Sequence, residues 1–381
     1  MIDNISNICE NNNKGNDFYI FENRDGKKWI IPCNQKKIGL LLYQPSSWKG
    51  KLIKRLFPII SKIPQLRRVI RVKCAKYKLI DELYDCIAKA FEIEKFNFSI
   101  FGGTPGKHQK ITIQIINNNN ILGYVKVCFS RDVYNNFVHE CRILENLQER
   151  GITNIPNVLV CGKLNSLFVF IQTTNKTNNS KTYHKLNSTT VNDIVTFCDQ
   201  SKHNCFYSDS DYYLMINRLK KTIEEINGRE KRIIAEAMSL VDKYFRKHNE
   251  FYAYHGDFTP WNIYREHNKT YMFDFEYGEL SYPKYLDLFH FYTQTMYFEH
   301  RKNSKYIYTN YKHTLRNTLF SFIEDTDFYY LAYLLASICL YTERDGVNSL
   351  RTNKLVKTWV DITEYLLEDI DAIRVEYTSA L

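Results

Sequence analysis

The 381 residues carry 52 Lys and Arg against 42 Asp and Glu, a net charge of +10, with 25% charged and 44% hydrophobic residues, the balance of a soluble globular protein long enough for one two-lobed domain or two ordinary ones. No run of eighteen apolar residues occurs, which excludes a predicted membrane helix, and the opening Met-Ile-Asp-Asn-Ile-Ser lacks the basic and apolar parts of a secretory signal. Ten cysteines without any C-x-x-C spacing exclude a zinc site or a disulfide framework and read as buried, reduced thiols of a cytoplasmic protein.

In chain order, Met1 to about Asp25 is polar and Asn-rich and is expected to be partly disordered. Lys28–Pro32 and Ile38–Tyr43 read as short strands or extended pieces. After Pro64, apolar residues from Leu66 to Phe91 recur at helical spacing, so a helix is expected there. A strand-rich block follows. Asn97–Phe101 is a strand that runs into Gly102-Gly103-Thr104-Pro105-Gly106-Lys107; Lys110–Ile116 alternates as a strand; Asn117–Asn120 is a turn; Ile121–Phe129 is a third strand. A helix over Tyr134–Glu149 and strands at Pro156–Val160 and Leu167–Ile171 complete it. Beyond this the pattern is helical over Tyr212–Asn227, Lys231–His248, Tyr306–Ile323, Phe328–Tyr341 and Asn353–Ile373. No internal repeat is present.

The chemistry concentrates in His255-Gly256-Asp257-Phe258-Thr259-Pro260-Trp261-Asn262 and in Asp274, twelve residues after Asn262. Phosphoryl transfer asks a protein to position donor and acceptor and to neutralise charge, which takes a loop over the phosphates, a Lys fixed by a Glu, a base and metal-holding oxygens. Each part has a candidate in the right order. Asp257 would take or orient the proton of an acceptor hydroxyl. Asn262 and Asp274 offer hard oxygen ligands suited to magnesium, and Glu276, two residues along an extended backbone, could join them. Lys126, mid-strand, would contact the phosphates of a nucleotide. Glu140 in the following helix would hold it, with Glu145 as the competing partner. Gly102, Gly103 and Gly106 would let backbone approach phosphate. Their spacing is neither the kinase G-x-G-x-x-G nor a Walker loop. His255 reads as a brace for the loop, and His290, within Leu-Phe-His-Phe, as a satisfied core histidine.

From Asn97 to Tyr341 the chain resembles the aminoglycoside phosphotransferase and choline kinase family, whose fold is related to that of protein kinases. His255-Gly256-Asp257 with Asn262 is similar to its catalytic loop, and Phe273-Asp274-Phe275-Glu276 to its metal-binding segment. Asp287-Leu288-Phe289-His290 resembles the segment whose acidic residue supports the catalytic loop. Glu140 to Leu144, running through Arg150-Gly151 to Pro156, resembles its first-lobe helix and next strand. The resemblance implies an α+β, two-lobed, protein-kinase-like fold: a small antiparallel N-lobe over residues 91–173 and a helical C-lobe over 174–381, preceded by an extension over 1–90. It also implies a phosphotransferase using ATP, or GTP, with Mg2+ on a small-molecule hydroxyl: a sugar, an aminoglycoside-like compound or a surface-glycan precursor. Thr259 stands where protein kinases carry a Lys, which favours the small-molecule branch. A protein kinase is the rival enzyme, and a non-catalytic nucleotide-binding scaffold is the rival from another class.

The positive charge is local. Between Gly26 and Ile80 there are fifteen Lys or Arg and no Asp or Glu. This segment reads as a solvated face beside the strand lobe. A second reading is peripheral contact with an anionic membrane, since Lys49, Lys51, Lys54, Arg55 and Lys62 alternate with Leu, Ile and Phe. Nucleic acid ranks last, because a basic stripe alone gives only non-specific affinity and no nucleic-acid-binding module is present.

Overall fold

The computed structural model describes residues 4–45, 48–106, 108–267 and 269–379, with the side chains of 12–14 and 372–379 left aside. Lys107, at the end of the glycine-rich run, lies outside the described residues. Eight strands form one sheet: β1 (Cys9–Glu22), β2 (Lys28–Pro32), β3 (Lys73–Leu79), β4 (Asn97–Phe101), β5 (Ile111–Asn117), β6 (Asn120–Cys128), β7 (Val158–Leu164) and β8 (Leu167–Thr173). Their order across the sheet is β3-β1-β2-β4-β5-β6-β8-β7, and every pairing is antiparallel. The strands alternate, so successive residues face opposite sides. Ile111, Ile113 and Ile115 of β5, Val125 and Val127 of β6, and Val169 and Ile171 of β8 turn to one apolar core. Lys126, between two of these valines, therefore points to the other face, where it pairs across the ladder with Phe170.

Five helices accompany these strands: α1 (Lys36–Gly39), α2 (Trp48–Ile60), α3 (Pro64–Val69), α4 (Asp81–Ala90) and α5 (Arg131–Glu149). Leu83 and Ile87 of α4 close the core on the face of Val125 and Val127. Helix α5 covers the Lys126 face, with Phe137 6.0 Å from the Phe170 ring.

Three expectations for the first ninety residues need correction. The Asn-rich start is ordered strand: Cys9–Glu22 pairs with both β2 and β3, and its register jumps between Asn11 and Asn16. Ile38–Tyr43 is helical, α1 running into a tight 3-10 turn over Leu40–Leu42 that buries Ile38 and Leu40. The expected helix from Leu66 to Phe91 is broken. Arg71 takes a left-handed φ of 55° after α3, and β3 then turns Ala75, Tyr77 and Leu79 inward at period two before α4 begins. Short apolar runs fit either periodicity, and here the sheet edge decides.

The chain divides into two compact units, and the sheet-based one comprises residues 1–149, 153–181 and 264–276. The other is mainly helical. Its elements begin with α6 (Ser188–Ser201), β9 (His203–Asn204), α7 (Asp211–Glu224), α8 (Arg229–Phe245) and β10 (Glu250–Tyr254). The hairpin β11 (Ile263–Glu266) and β12 (Lys269–Met272) follows, and its residues from Tyr264 on cluster with the sheet-based unit. Then come β13 (Glu279–Tyr282), α9 (Leu286–Gln294), α10 (Ser304–Asn310), α11 (Thr326–Asp345), α12 (Ser349–Thr352) and α13 (Lys354–Ser379). Strands β13, β10 and β9 form a small sheet, and α11 packs against α7, α8, α9 and α13 around the buried rings of Tyr330, Tyr333 and Trp359. The helix expected over Tyr306–Ile323 is shorter: α10 gives way at Tyr311 to a wide π-type turn and then to turns. The whole is an α+β chain with an antiparallel sheet and a helical body, as the sequence implies. Among the described residues no helix is long and apolar enough to cross a membrane. All ten cysteines are free, with Cys9, Cys128, Cys198 and Cys339 buried.

Candidate functional site

The expected site residues fall into two groups, one in each unit. In the sheet-based unit, the Lys126 side chain is almost wholly buried, and its Nζ donates to Glu140 Oε1 at 2.9 Å and Oε2 at 2.6 Å. It also donates to Asp274 Oδ1 at 2.5 Å. Strand β6 presents the Lys and α5 the Glu; Glu140 is fully buried, while Glu145 is turned outward. A second cation, Lys110, sits just before β5. Its Nζ lies 2.6 Å from Glu276 Oε2 and 3.4 Å from Asp274 Oδ1. Three carboxylates thus share two ammonium groups. Burial by itself would strip the proton from Lys126, but Asp274 and Glu140 outweigh it and hold its pKa above the ordinary value. Lys110 is held up in the same way by Asp274 and Glu276. Burial pushes the Glu140 carboxyl up, against the pull of Lys126.

Asp274 and Glu276 converge for a different reason from the one the sequence suggests. Asp274 is not in extended backbone; its φ is 70°, the left-handed region, a conformation that costs roughly 1–3 kcal/mol outside glycine and recurs at functional sites. The two carboxylates meet on the Lys110 ammonium. Lys110 went unrecognised in the sequence, where it reads as the first residue of an alternating strand; its place directly after a glycine-rich loop was the available signal.

Gly102 and Gly103 serve their own chain. Gly102 N–H donates to the Lys28 carbonyl at 2.9 Å, and a side chain on Gly103, whose φ is 78°, would collide with the carbonyl oxygen of Lys110. Gly103 is therefore what lets the backbone run tightly into the lysine that meets Asp274 and Glu276. Gly106 is exposed, with open space around its Cα.

In the helical unit, β10 delivers His255-Gly256-Asp257 into a loop clamped from several directions. The carboxylate of Asp287, in the first turn of α9, accepts from His255 N–H at 2.9 Å and Gly256 N–H at 3.3 Å. Burial raises the Asp287 pKa to about 7, although both N–H groups pull it down. Gly256 has a φ of 78°, and a Cβ there would strike the Tyr277 carbonyl, so the turn admits only glycine. His255 Nδ1 accepts the Asp257 N–H at 3.2 Å, which fixes the ring as a brace with its proton on Nε2. Buried Thr259 donates from Oγ1 to the Asp257 carbonyl at 3.3 Å.

The Asp257 side chain is 30% exposed and both its oxygens are held. Asn262 Nδ2 donates to Oδ2 at 2.7 Å and to the Asp257 carbonyl at 3.1 Å. His290 Nε2 lies 3.1 Å from Oδ1. His290 Nδ1 is buried without a partner. An unpaired ring acceptor is cheaper to bury than an unpaired N–H, so the ring carries its proton on Nε2 and donates it to Asp257. His290 is thus buried and hydrogen-bonded, as expected of a core histidine, and its partner is Asp257, which the sequence reading did not name. Its position three residues after Asp287, on the same helical face, was the signal.

Among the described residues no group of three His, Cys, Asp or Glu is arranged to hold a metal ion. Magnesium does not require one, since it is commonly held by one or two carboxylates with phosphate oxygens and water. Asp274 and Glu276 of the sheet-based unit supply hard anionic oxygens; in the helical unit the Asn262 nitrogen is engaged by Asp257, which leaves its side-chain oxygen turned to other partners. The Asp274 and Glu276 carboxylates by themselves fit a small divalent ion.

No protein-family model matches the chain, and no curated protein matches it. Among solved structures the chain is similar to several kinases. A thermostable mutant of an aminoglycoside phosphotransferase, in its apo form, is 9% identical over 75% of this chain and 98% of its own, with a TM-score of 0.44. Amicoumacin kinase, in complex with AMP-PNP, Ca2+ and Ami, is 9% identical over 75% and 94%, also at 0.44. The choline kinase of Streptococcus pneumoniae is 15% identical over 73% and 97%, at 0.43.

Proposed function

We propose that this chain transfers the γ-phosphate of ATP to a hydroxyl of a small molecule, with magnesium as the metal. Sugars, aminoglycoside-like compounds and surface-glycan precursors are the favoured acceptors. One observation carries the reading: a buried lysine, Lys126, held by a fully buried Glu140 and in contact with Asp274. Burying such an ion pair contributes little net stability, so an arrangement of this kind points to a use for the ammonium group.

In this reading Lys126 meets nucleotide phosphate, with Glu140 fixing its position. Asp274, Glu276 and the oxygen of Asn262 are the groups that would hold magnesium, which when bound neutralises phosphate charge. Asp257 orients the acceptor hydroxyl and takes its proton. His290 and Asn262 hold both carboxylate oxygens in place, and Asp287 and His255 keep the loop in shape. Thr259 is buried and donates inward to the loop itself, so it cannot reach out as the lysine of protein kinases would; this favours a small acceptor over a protein.

The reading is tested by a phosphotransfer screen with radiolabelled ATP against sugars, aminoglycosides, choline and glycolipid precursors, beside a Mg-ATP thermal-shift titration. Asp257→Ala is expected to lower kcat by about 10²–10⁴-fold while the nucleotide-induced shift persists. A Mg-ATP shift with neither transfer nor hydrolysis in the parent protein would favour the non-catalytic nucleotide-binding scaffold, and unchanged turnover in the variant would sink the mechanism.

A further inference from the structure

Eight of the fifteen large apolar side chains that stand exposed among the described residues fall between Trp48 and Val69. Helix α2 buries Phe57 and Gly50 along one side. On another side Trp48, Leu52, Leu56 and Ile59 recur at steps of four, four and three residues, and they are 70%, 47%, 39% and 65% exposed. A helix that merely covers a core turns its apolar residues inward and its charges outward. Helix α2 keeps a second apolar stripe in the open. Ile63, which precedes α3, and Leu66 and Val69 within it add three more exposed apolar side chains next along the chain.

The stripe is edged by positive charge. Lys51 lies three residues after Trp48, Arg55 lies three after Leu52 and four before Ile59, Lys49 stands over the Trp48 ring, and Lys62 and Arg68 follow. Gly26 to Ile80 holds no acidic residue, and among the described residues no carboxylate pairs with Lys51, Arg55, Lys62 or Arg68.

We propose that α2 and α3 form a docking surface for an anionic phospholipid membrane. The stripe enters the acyl boundary, α2 lies in the plane of the interface, and the flanking Lys and Arg meet lipid phosphate and carboxylate groups. The combination selects this occupant. Nucleic acid would engage the charges and leave the apolar stripe uncovered. A second copy of the chain would bring the same Lys and Arg of the Trp48–Val69 stretch to the contact, with no acidic residue among them, and be repelled. The surface is independent of the proposed phosphotransfer and stands or falls separately.

The full-length protein is tested by co-sedimentation with vesicles of phosphatidylcholine alone and of phosphatidylcholine with phosphatidylserine, while its tryptophan fluorescence is followed. Binding is expected only with phosphatidylserine, to fall with added salt, and to shift the emission to the blue through Trp48, an effect lost in Trp48→Ser. Lys51→Gln with Arg55→Gln is expected to weaken binding roughly thirtyfold. Leu52→Ser with Leu56→Ser and Ile59→Ser changes only exposed positions, leaves the melting transition in place and abolishes binding. Absence of vesicle binding, or equal binding to the two vesicle types, overturns the proposal. So does full binding by the triple serine variant, which would point to a polyanion such as nucleic acid. Self-association that disappears with the stripe, without vesicle affinity, would assign the surface to a second copy.

Discussion

Asp257 is presented with both carboxylate oxygens already engaged, one by an amide and one by an imidazole. A base held this way reacts from one geometry, and removing a support should affect the chemical step more than binding. His290→Ala is expected to reduce kcat about tenfold or more while leaving the KM for ATP within about twofold, as read by steady-state kinetics. A purely structural histidine would instead lower the melting temperature and leave kcat of the folded protein intact. The glycines give a stability counterpart. Gly256→Ala places a methyl group against the Tyr277 carbonyl at a left-handed φ and is expected to cost at least roughly 1–3 kcal/mol in urea unfolding, whereas Gly162→Ala, with open space around it and no positive φ, should cost less. Contacts between near neighbours in sequence were legible: Asp257 with Asn262, and Asp274 with Glu276 about one lysine. Lys110 and His290 were not, because each acquires its meaning from a partner supplied by a different element, and a lysine at a strand start or a histidine in an apolar run is chemically mute on its own.

Helix α9 shows how an element can conceal its function. All nine of its residues are buried, so it has no polar face and no amphipathic period, and the sequence pattern did not single it out as a helix. Helix α6 was missed although Val191, Ile194, Phe197 and Cys198 follow helical spacing and Asn187 caps its first turn. Through Asp287, α9 secures the end of β10, and this linkage has a pH signature. An unfolded aspartate titrates near 4, whereas in the fold Asp287 keeps its proton up to about 7. The folded chain therefore holds an extra proton between those values, so the contribution of Asp287 to stability is present below about pH 4 and is lost as pH rises through about 7. Urea titrations at about pH 5 and about pH 8 should show a larger loss of stability for the parent than for Asp287→Asn, by roughly 1–4 kcal/mol; equal losses would rule this out. Between β6 and α5, Lys126→Met leaves Glu140 buried without its ion-pair partner and is expected to destabilise by about 3 kcal/mol, measured by the same titration.

At the scale of the molecule, the sheet is wider than the strand-rich block apparent in the sequence. Strands β4 to β8 were visible there through alternation and turns. Strands β1 and β3 were hidden because both are largely polar: an Asn-rich strand with a register jump lies beside an edge strand carrying Lys73, Lys76 and Lys78. Charged lysines on an edge discourage pairing with other chains, which is a structural reason for a strand to look unlike one. The antiparallel pairing of Trp29 with Phe101 and Ile30 with Ile100 joins this hidden part to β4. A chain trimmed to begin near residue 91, where the kinase-like pattern becomes recognisable, would leave β4 as a bare edge and uncover the core around Phe98 and Ile100. Such a trimmed protein is expected to accumulate in inclusion bodies, and a trimming series followed by the soluble fraction recovered would locate the true minimal fold upstream of β1.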